Sequence, residues 1–233
     1  MADRENTSMG DKINNFIQKN RKGIFVTTGI VIVLFIGMIA YLYINDYFNN
    51  KANAEAEELN TRYTDMQLLI RQGFESDEDM ATLLADLENH AGKKTFLTEG
   101  RGFAQGKIWS LIGHIQSSNK EWEKAEEAWL NAAKKGAKTY LGPIALFNAA
   151  TAAEEQGKLE EAIELLEQCV SHKVDFPSVP RAQFNIGRLN EQLGNYEEAV
   201  AAYRLVLTKW PNMPVFQYLS QNQIIKIESE MGN

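Results

Sequence analysis

Three alanines, Ala125, Ala162 and Ala199, stand 37 residues apart, and the residues around them keep the same step. Gly113, Ala150 and Gly187 repeat in register. So do Trp122, Leu159 and Tyr196, and so do Trp129, Leu166 and Tyr203. Self-similarity at a fixed period of this length is the signature of stacked supersecondary units, none of which can bury its apolar face alone. Each unit reads as a helix, a short turn (118–120, 156–158, 194–195) and a second helix that opens on acidic residues. Two antiparallel helices approach closely only where side chains are small. The first-helix residues Gly113, Ala150 and Gly187 and the second-helix residues Ala125, Ala162 and Ala199 are therefore expected to form the contact within each hairpin. Pro143 and Pro180 fit first-turn positions, where the missing N–H costs little. Pro211 fits just past the last second helix. The fold class is all-α, a solenoid of helical hairpins.

These residues resemble the tetratricopeptide repeat (TPR). The last unit, 181–211, carries the resemblance best, with Gly187, Gly194, Tyr196, Ala199, Tyr203 and Pro211. Two features depart from the family pattern: the step is 37 rather than 34, and the usual first-helix aromatic is Leu146 and then Gln183. The resemblance implies that first helices line a concave, peptide-binding face. The outward positions there are Lys107, Ser110 and His114; Ile144, Phe147, Thr151 and Glu154; and Arg181, Phe184, Arg188 and Glu191. Phe147 and Phe184 with Arg181 and Arg188 could hold an apolar side chain and a carboxylate. The competing reading makes the two phenylalanines core between repeats.

Upstream lies a second constraint. Residues 24–44, IFVTTGIVIVLFIGMIAYLYI, hold no charge and are long enough for a helix to cross a bilayer. Lys19, Arg21 and Lys22 abut their N-terminal side, so the positive-inside rule sets the tail in the cytoplasm and the large part outside it. The stretch is longer than a signal peptide's apolar region, and the nearest small-x-small site, Ala52-Asn53-Ala54, lies well beyond it; an uncleaved anchor is expected. Of 24 basic and 31 acidic residues, the tail holds 5 and 3, leaving 19 against 28 after the span. That acidic balance argues against a nucleic-acid partner. Ala52, Ala56, Leu59, Tyr63, Met66 and Ile70 then form a heptad-like seam on a linking helix. The seam suits either packing on the next helix of the same chain or a homodimer.

No catalytic signature stands out. His90, His114 and His172 lack metal-ligand spacing, and Cys169 falls at an inward helix position, so neither metal nor cofactor is expected. Gly100, Gly102 and Gly106 read as a turn into a helix, not as a phosphate cradle. The acidic runs 121–127 and 154–167 read as solvated faces. Ser76 and Asp79 suit a helix N-terminus ahead of Met80, Leu83, Leu84 and Leu87.

The expected division is a cytoplasmic tail at 1–23, a transmembrane helix at 24–44, a linking helix at 45–75, a degenerate first unit at 76–105, three repeats at 106–213 and a capping helix at 214–233. This combination is similar to a bacterial inner-membrane TPR-like family of ancillary Sec translocon subunits. The resemblance implies a single-pass protein with a periplasmic domain that links exported proteins to periplasmic chaperones. Two other readings are an adaptor for cell-envelope assembly or division and, least favoured, an enzyme with a regulatory TPR arm. The enzyme reading is disfavoured because, once every segment is assigned, no room remains for a catalytic domain.

Overall fold

A computed structural model describes residues 9–74, 77–92, 102–174 and 176–232. Among them every regular element is a helix: α1 (Met9–Lys19), α2 (Arg21–Arg71), α3 (Asp77–Gly92), α4 (Gly102–Ser118), α5 (Trp122–Lys135), α6 (Leu141–Glu155), α7 (Leu159–Val170), α8 (Val179–Gln192), α9 (Tyr196–Lys209) and α10 (Pro214–Met231). Ser76 and the side chain of Asp79 lie outside the described residues, as does Gly100. Contacts divide the chain into two units, Met1–Asn50 and Lys51–Asn233.

In the first unit the described part of the tail is helical. It contains α1, and α2 already begins at Arg21. The apolar stretch of α2 is long enough and apolar enough to cross a membrane, and none of it is buried in protein.

The second unit is an α-solenoid in which neighbours in sequence pack on one another, from α3 on α4 through to α10 on α9. Its regularity comes from one turn used again and again. Lys120, Gly157 and Gly194, spaced by the repeat step, all have positive φ (61°, 76° and 79°). After each, the chain closes the first helix with the same pair of bonds. Glu121 N–H donates to Gln116 O, Lys158 to Ala153 O and Asn195 to Asn190 O, at 2.9, 3.0 and 2.9 Å. Lys120, Gly157 and Gly194 each donate one step further in, to Ser117, Glu154 and Glu191. This is the left-handed helix stop that satisfies carbonyls otherwise left without partners. The next residues repeat too: Glu121, Lys158 and Asn195 sit at φ −81°, −84° and −82° with ψ 67°, 67° and 68°, and their carbonyls accept from Ala125, Ala162 and Ala199.

Helix α2 ends in the same way. Gly73 has φ 87°, its N–H donates to Ile70 O, and Phe74 N–H donates to Leu69 O. Its C-terminal part therefore acts as a first helix, and α3 follows as its partner. Ala56 and Leu59 of the linking-helix seam are buried with Leu83 and Leu87 of α3 and Ile108, Leu111, Ile112 and Ile115 of α4, with Ala52, Tyr63 and Met66 packed around them. The seam is covered by the protein's own chain, which leaves a homodimer through it without a surface; only Ile70 at its end stays exposed. The C-terminal part of α2 and α3 thus form a further hairpin ahead of the three repeats. Helix α4 starts at Gly102, and both Gly102 and Gly106 lie inside it against the end of α5.

A Cβ on Gly113 would meet the Trp129 ring at 2.5 Å, and one on Gly187 would meet the Tyr203 ring at 2.6 Å. The first-helix glycines thus leave room for the large second-helix ring. Ala125, Ala162 and Ala199 are each fully buried at the start of the second helix. Ala150 pairs with the smaller Leu166 in that register, which explains why it can keep a methyl group.

Candidate functional site

The face built by the first helices is tied together by charge. Lys107 of α4 pairs with Glu57 of α2. The Arg188 guanidinium of α8 donates two bonds, 2.7 and 2.6 Å, to the Glu154 carboxylate of α6. Lys226 of α10 reaches Glu191 of α8 at 2.8 Å, and the Tyr203 hydroxyl donates to the same carboxylate at 3.2 Å. Each of these acids is therefore matched by a cation from a later helix on the same face. The pairing shifts these groups: Lys107 holds Glu57 below the usual carboxylate range, Glu154 holds Arg188 up, and Glu191 holds Lys226 up. Burial raises Tyr203, and its acidic neighbour Glu191 adds to that. The acidic runs are not purely solvated. Besides Glu154, Glu126 is buried and accepts from Gln156 Nε2 at 2.6 Å and Lys158 Nζ at 3.1 Å.

The two phenylalanines are packing residues. Phe147 is 9% exposed, with Phe176 against it (ring centroids 6.1 Å) and the Arg181 guanidinium over its face at 5.3 Å. Phe184 is half-buried between Tyr203 and Phe216, at 5.2 and 6.1 Å. Both rings thus pack against aromatic neighbours within the fold. The competing reading of these residues as inter-repeat core is the one the packing supports, because the segment after α7 supplies Phe176 and α10 supplies Phe216. Arg188, Glu154 and Glu191 are likewise occupied within the fold.

What stays open is a smaller set. Arg181 is exposed and makes no ion pair with any described residue. Thr151 is exposed, with its hydroxyl donating to Phe147 O at 3.1 Å; Ser110 and Ile144 are half-buried. His114 keeps one side open while Tyr63 stacks on it at 6.4 Å and Trp129 meets it edge-on at 5.6 Å, and the loss of water from its flanks lowers its pKa. Two residues join this set that sequence reasoning passed over. Tyr218 and Ile225 on α10 are 69% and 58% exposed. They stand one repeat step after Arg181 and Arg188, so carrying the period into α10 would have found them. The result is a face whose acids are neutralised, with one cation on an aromatic ring and apolar groups to one side. It suits an extended peptide with apolar side chains and a carboxylate near Arg181.

Elsewhere the side chains with reactive groups are structural. Cys169 is buried, its Sγ 3.2 Å from Pro143 O, and burial pushes its thiol up to about 12. His90 Nδ1 lies 2.8 Å from Asp86 O, and His172 Nδ1 accepts from Val174 N–H. Among the described residues no group of three His, Cys, Asp or Glu side chains could hold a metal.

Comparison with known proteins agrees with this architecture. A tetratricopeptide-repeat family model matches residues 112–172 and 170–214. A TPR repeat-containing protein of Treponema pallidum (strain Nichols) is 41% identical over 110 residues, 47% of this chain and 46% of the relative. The match thus spans about half the length of that relative. Two crystal structures of nearly identical TPR-like repeats assigned to a kinesin light chain of Podosopora anserina, one of them a point variant, superpose with TM-scores of 0.57 and 0.56. They cover 76% of this chain and 88% of theirs at 16% and 17% identity, a likeness of fold. The α2–α3 hairpin lies outside the region the family model matches and is defined by its geometry alone. The chain carries a TPR-like α-solenoid and is related to other TPR-repeat proteins.

Proposed function

We propose that the protein is a single-pass scaffold of a bacterial inner membrane, with its solenoid on the periplasmic side beside the Sec translocon, where it passes emerging proteins to periplasmic chaperones. One observation carries the anchored part of this reading. Helix α2 runs unbroken from Arg21 to Arg71, with an apolar, unburied stretch in its first half and the packed first helix of a repeat in its second. The basic residues Lys19, Arg21 and Lys22 before the stretch support the orientation. Confinement to the membrane plane raises the effective concentration of a weak peptide-binding face near membrane-bound partners. The proposed contact surface is Ser110, His114, Ile144, Thr151, Arg181, Tyr218 and Ile225.

Photo-crosslinkers placed at Arg181 and Tyr218 in living cells test the reading. Capture of translocon subunits or envelope chaperones is expected. Capture of cell-division or envelope-assembly proteins instead would favour the adaptor role, and capture of neither would end the translocon reading. A reporter active only outside the cytoplasm, fused after residue 233, is expected to give signal; silence there would reverse the orientation.

A further inference from the structure

Helix α1 buries none of its residues, yet its side chains are sorted. Met9, Ile13, Phe16 and Ile17 follow one another at steps of four, three and one, which gathers them on one face of a helix. All four are exposed, from 48% to 81%. Asp11, Asn14, Asn15 and Gln18 occupy the opposite face. The cations of α1, Lys12 and Lys19, sit along one boundary between the two faces, and Arg21 and Lys22 follow at the start of α2. This is the distribution of a helix lying in a membrane interface, where apolar side chains enter the acyl boundary and long basic side chains reach out to the headgroups.

The junction with α2 fits such a placement. At Asn20 the helical run is interrupted. Phe16 O accepts both the Asn20 backbone N–H, at 3.0 Å, and Asn20 Nδ2, at 2.9 Å. A side chain that competes for its own helix's carbonyl weakens the ladder there and makes it a place where a helix bends. The apolar stretch begins shortly after, with the Arg21 guanidinium 5.8 Å from the Phe25 ring centroid.

We infer that α1 is an amphipathic surface helix that docks on the anionic lipid headgroups of the leaflet where the α2 span enters, with Met9, Ile13, Phe16 and Ile17 in the acyl boundary and Lys12, Lys19, Arg21 and Lys22 at the phosphates. Two features select this occupant: the sign of the flanking charge, opposite to that of the lipid, and continuity with the apolar stretch. The inference rests on the proposed membrane span and adds a second, separable contact with the bilayer.

The test uses the full chain reconstituted in phosphatidylcholine vesicles with and without phosphatidylglycerol. Single cysteines replace Ile13 or Phe16 on the apolar face, Asn14 or Gln18 on the polar face, and Val33 within the span. Each carries an environment-sensitive fluorophore, and Cys169, being buried, stays unlabelled. With phosphatidylglycerol present, labels at 13 and 16 are expected to shift to shorter wavelength and to be quenched by lipid-borne nitroxide. Those at 14 and 18 should remain quenched by aqueous iodide. Lys12→Gln with Lys19→Gln, or omission of phosphatidylglycerol, should reduce the shift at 13 and 16 without moving the Val33 label out of lipid. Equal iodide access at all four α1 positions, with Val33 still in lipid, overturns the inference alone. Shielding of 13 and 16 from both quenchers points to a protein partner and overturns it as well. A shift that ignores phosphatidylglycerol and the lysines overturns the assignment to anionic lipid. Iodide quenching at Val33 overturns the span, and this inference with it.

Discussion

Lys120 is the one described non-glycine residue with positive φ, and it stands where the next two repeats use glycine. A side chain in the left-handed region costs about 1 kcal/mol, so Lys120→Gly is expected to raise unfolding stability by about that amount, and Gly194→Ala to lower it by about as much. The urea midpoint of each variant against the parent measures both. Gly187 answers to a different constraint, the Tyr203 ring lying where a methyl would go. Gly187→Ala should cost about 1–3 kcal/mol through overpacking, read in the same titration. Cys169 adds a dependence on pH. Its thiol is held protonated in the fold, at about 12, and titrates near 8.5 when unfolded. The contribution is therefore complete below about pH 8.5 and is lost as the pH rises through 12, at about 1.4 kcal/mol per unit in between. Comparing the parent with Cys169→Ala from pH 8 to 10 should show a shallower decline in the variant.

At the scale of the element, the hairpins were legible because their constraints are strict. A turn that needs φ above zero selects glycine, and a close helix crossing selects small residues, so both recur in the sequence at a fixed step. The ties between hairpins were not legible. Glu154 and Glu191 stand one repeat step apart and pair alike, with Arg188 and Lys226, but each partner lies on a later helix 34 or 35 positions on, and no such step links Glu57 to Lys107. Phe147 looked available because the residue that covers it, Phe176, comes from the irregular segment after α7. These ties can be weighed. A double-mutant cycle with Glu154→Gln and Arg188→Met should return a coupling of about 1 kcal/mol, since the pair is bidentate and about two-thirds buried. The Lys226–Glu191 pair, with its lysine in solvent, should couple less and fade sooner as salt is added.

On the whole-molecule scale, the sequence showed three repeats behind a degenerate first unit and ahead of a capping helix, and among the described residues the fold has four hairpins plus α10. The first helix of the earliest hairpin was hard to see because Gly73 precedes Lys120 by 47 positions, out of step with the 37 that separates the later turns, and because that helix is the tail end of α2. The apolar stretch drew attention to where α2 begins; the bonds at Gly73 reveal what its other end does. Stability in such an array is a sum over hairpins and their nearest neighbours.

The recurring turn has a further consequence: the molecule has a reading frame in space as well as in sequence. Lys120 and Gly157 adopt the same conformation, and so do the residues that follow each of them. Excising 121–157 would join one turn to the continuation of the next with the backbone already in phase. That shortened protein should still unfold cooperatively, with its helical circular dichroism reduced in proportion to the helix removed and its midpoint lowered. Excising five residues fewer, 121–152, breaks the phase, and the cooperative transition should disappear.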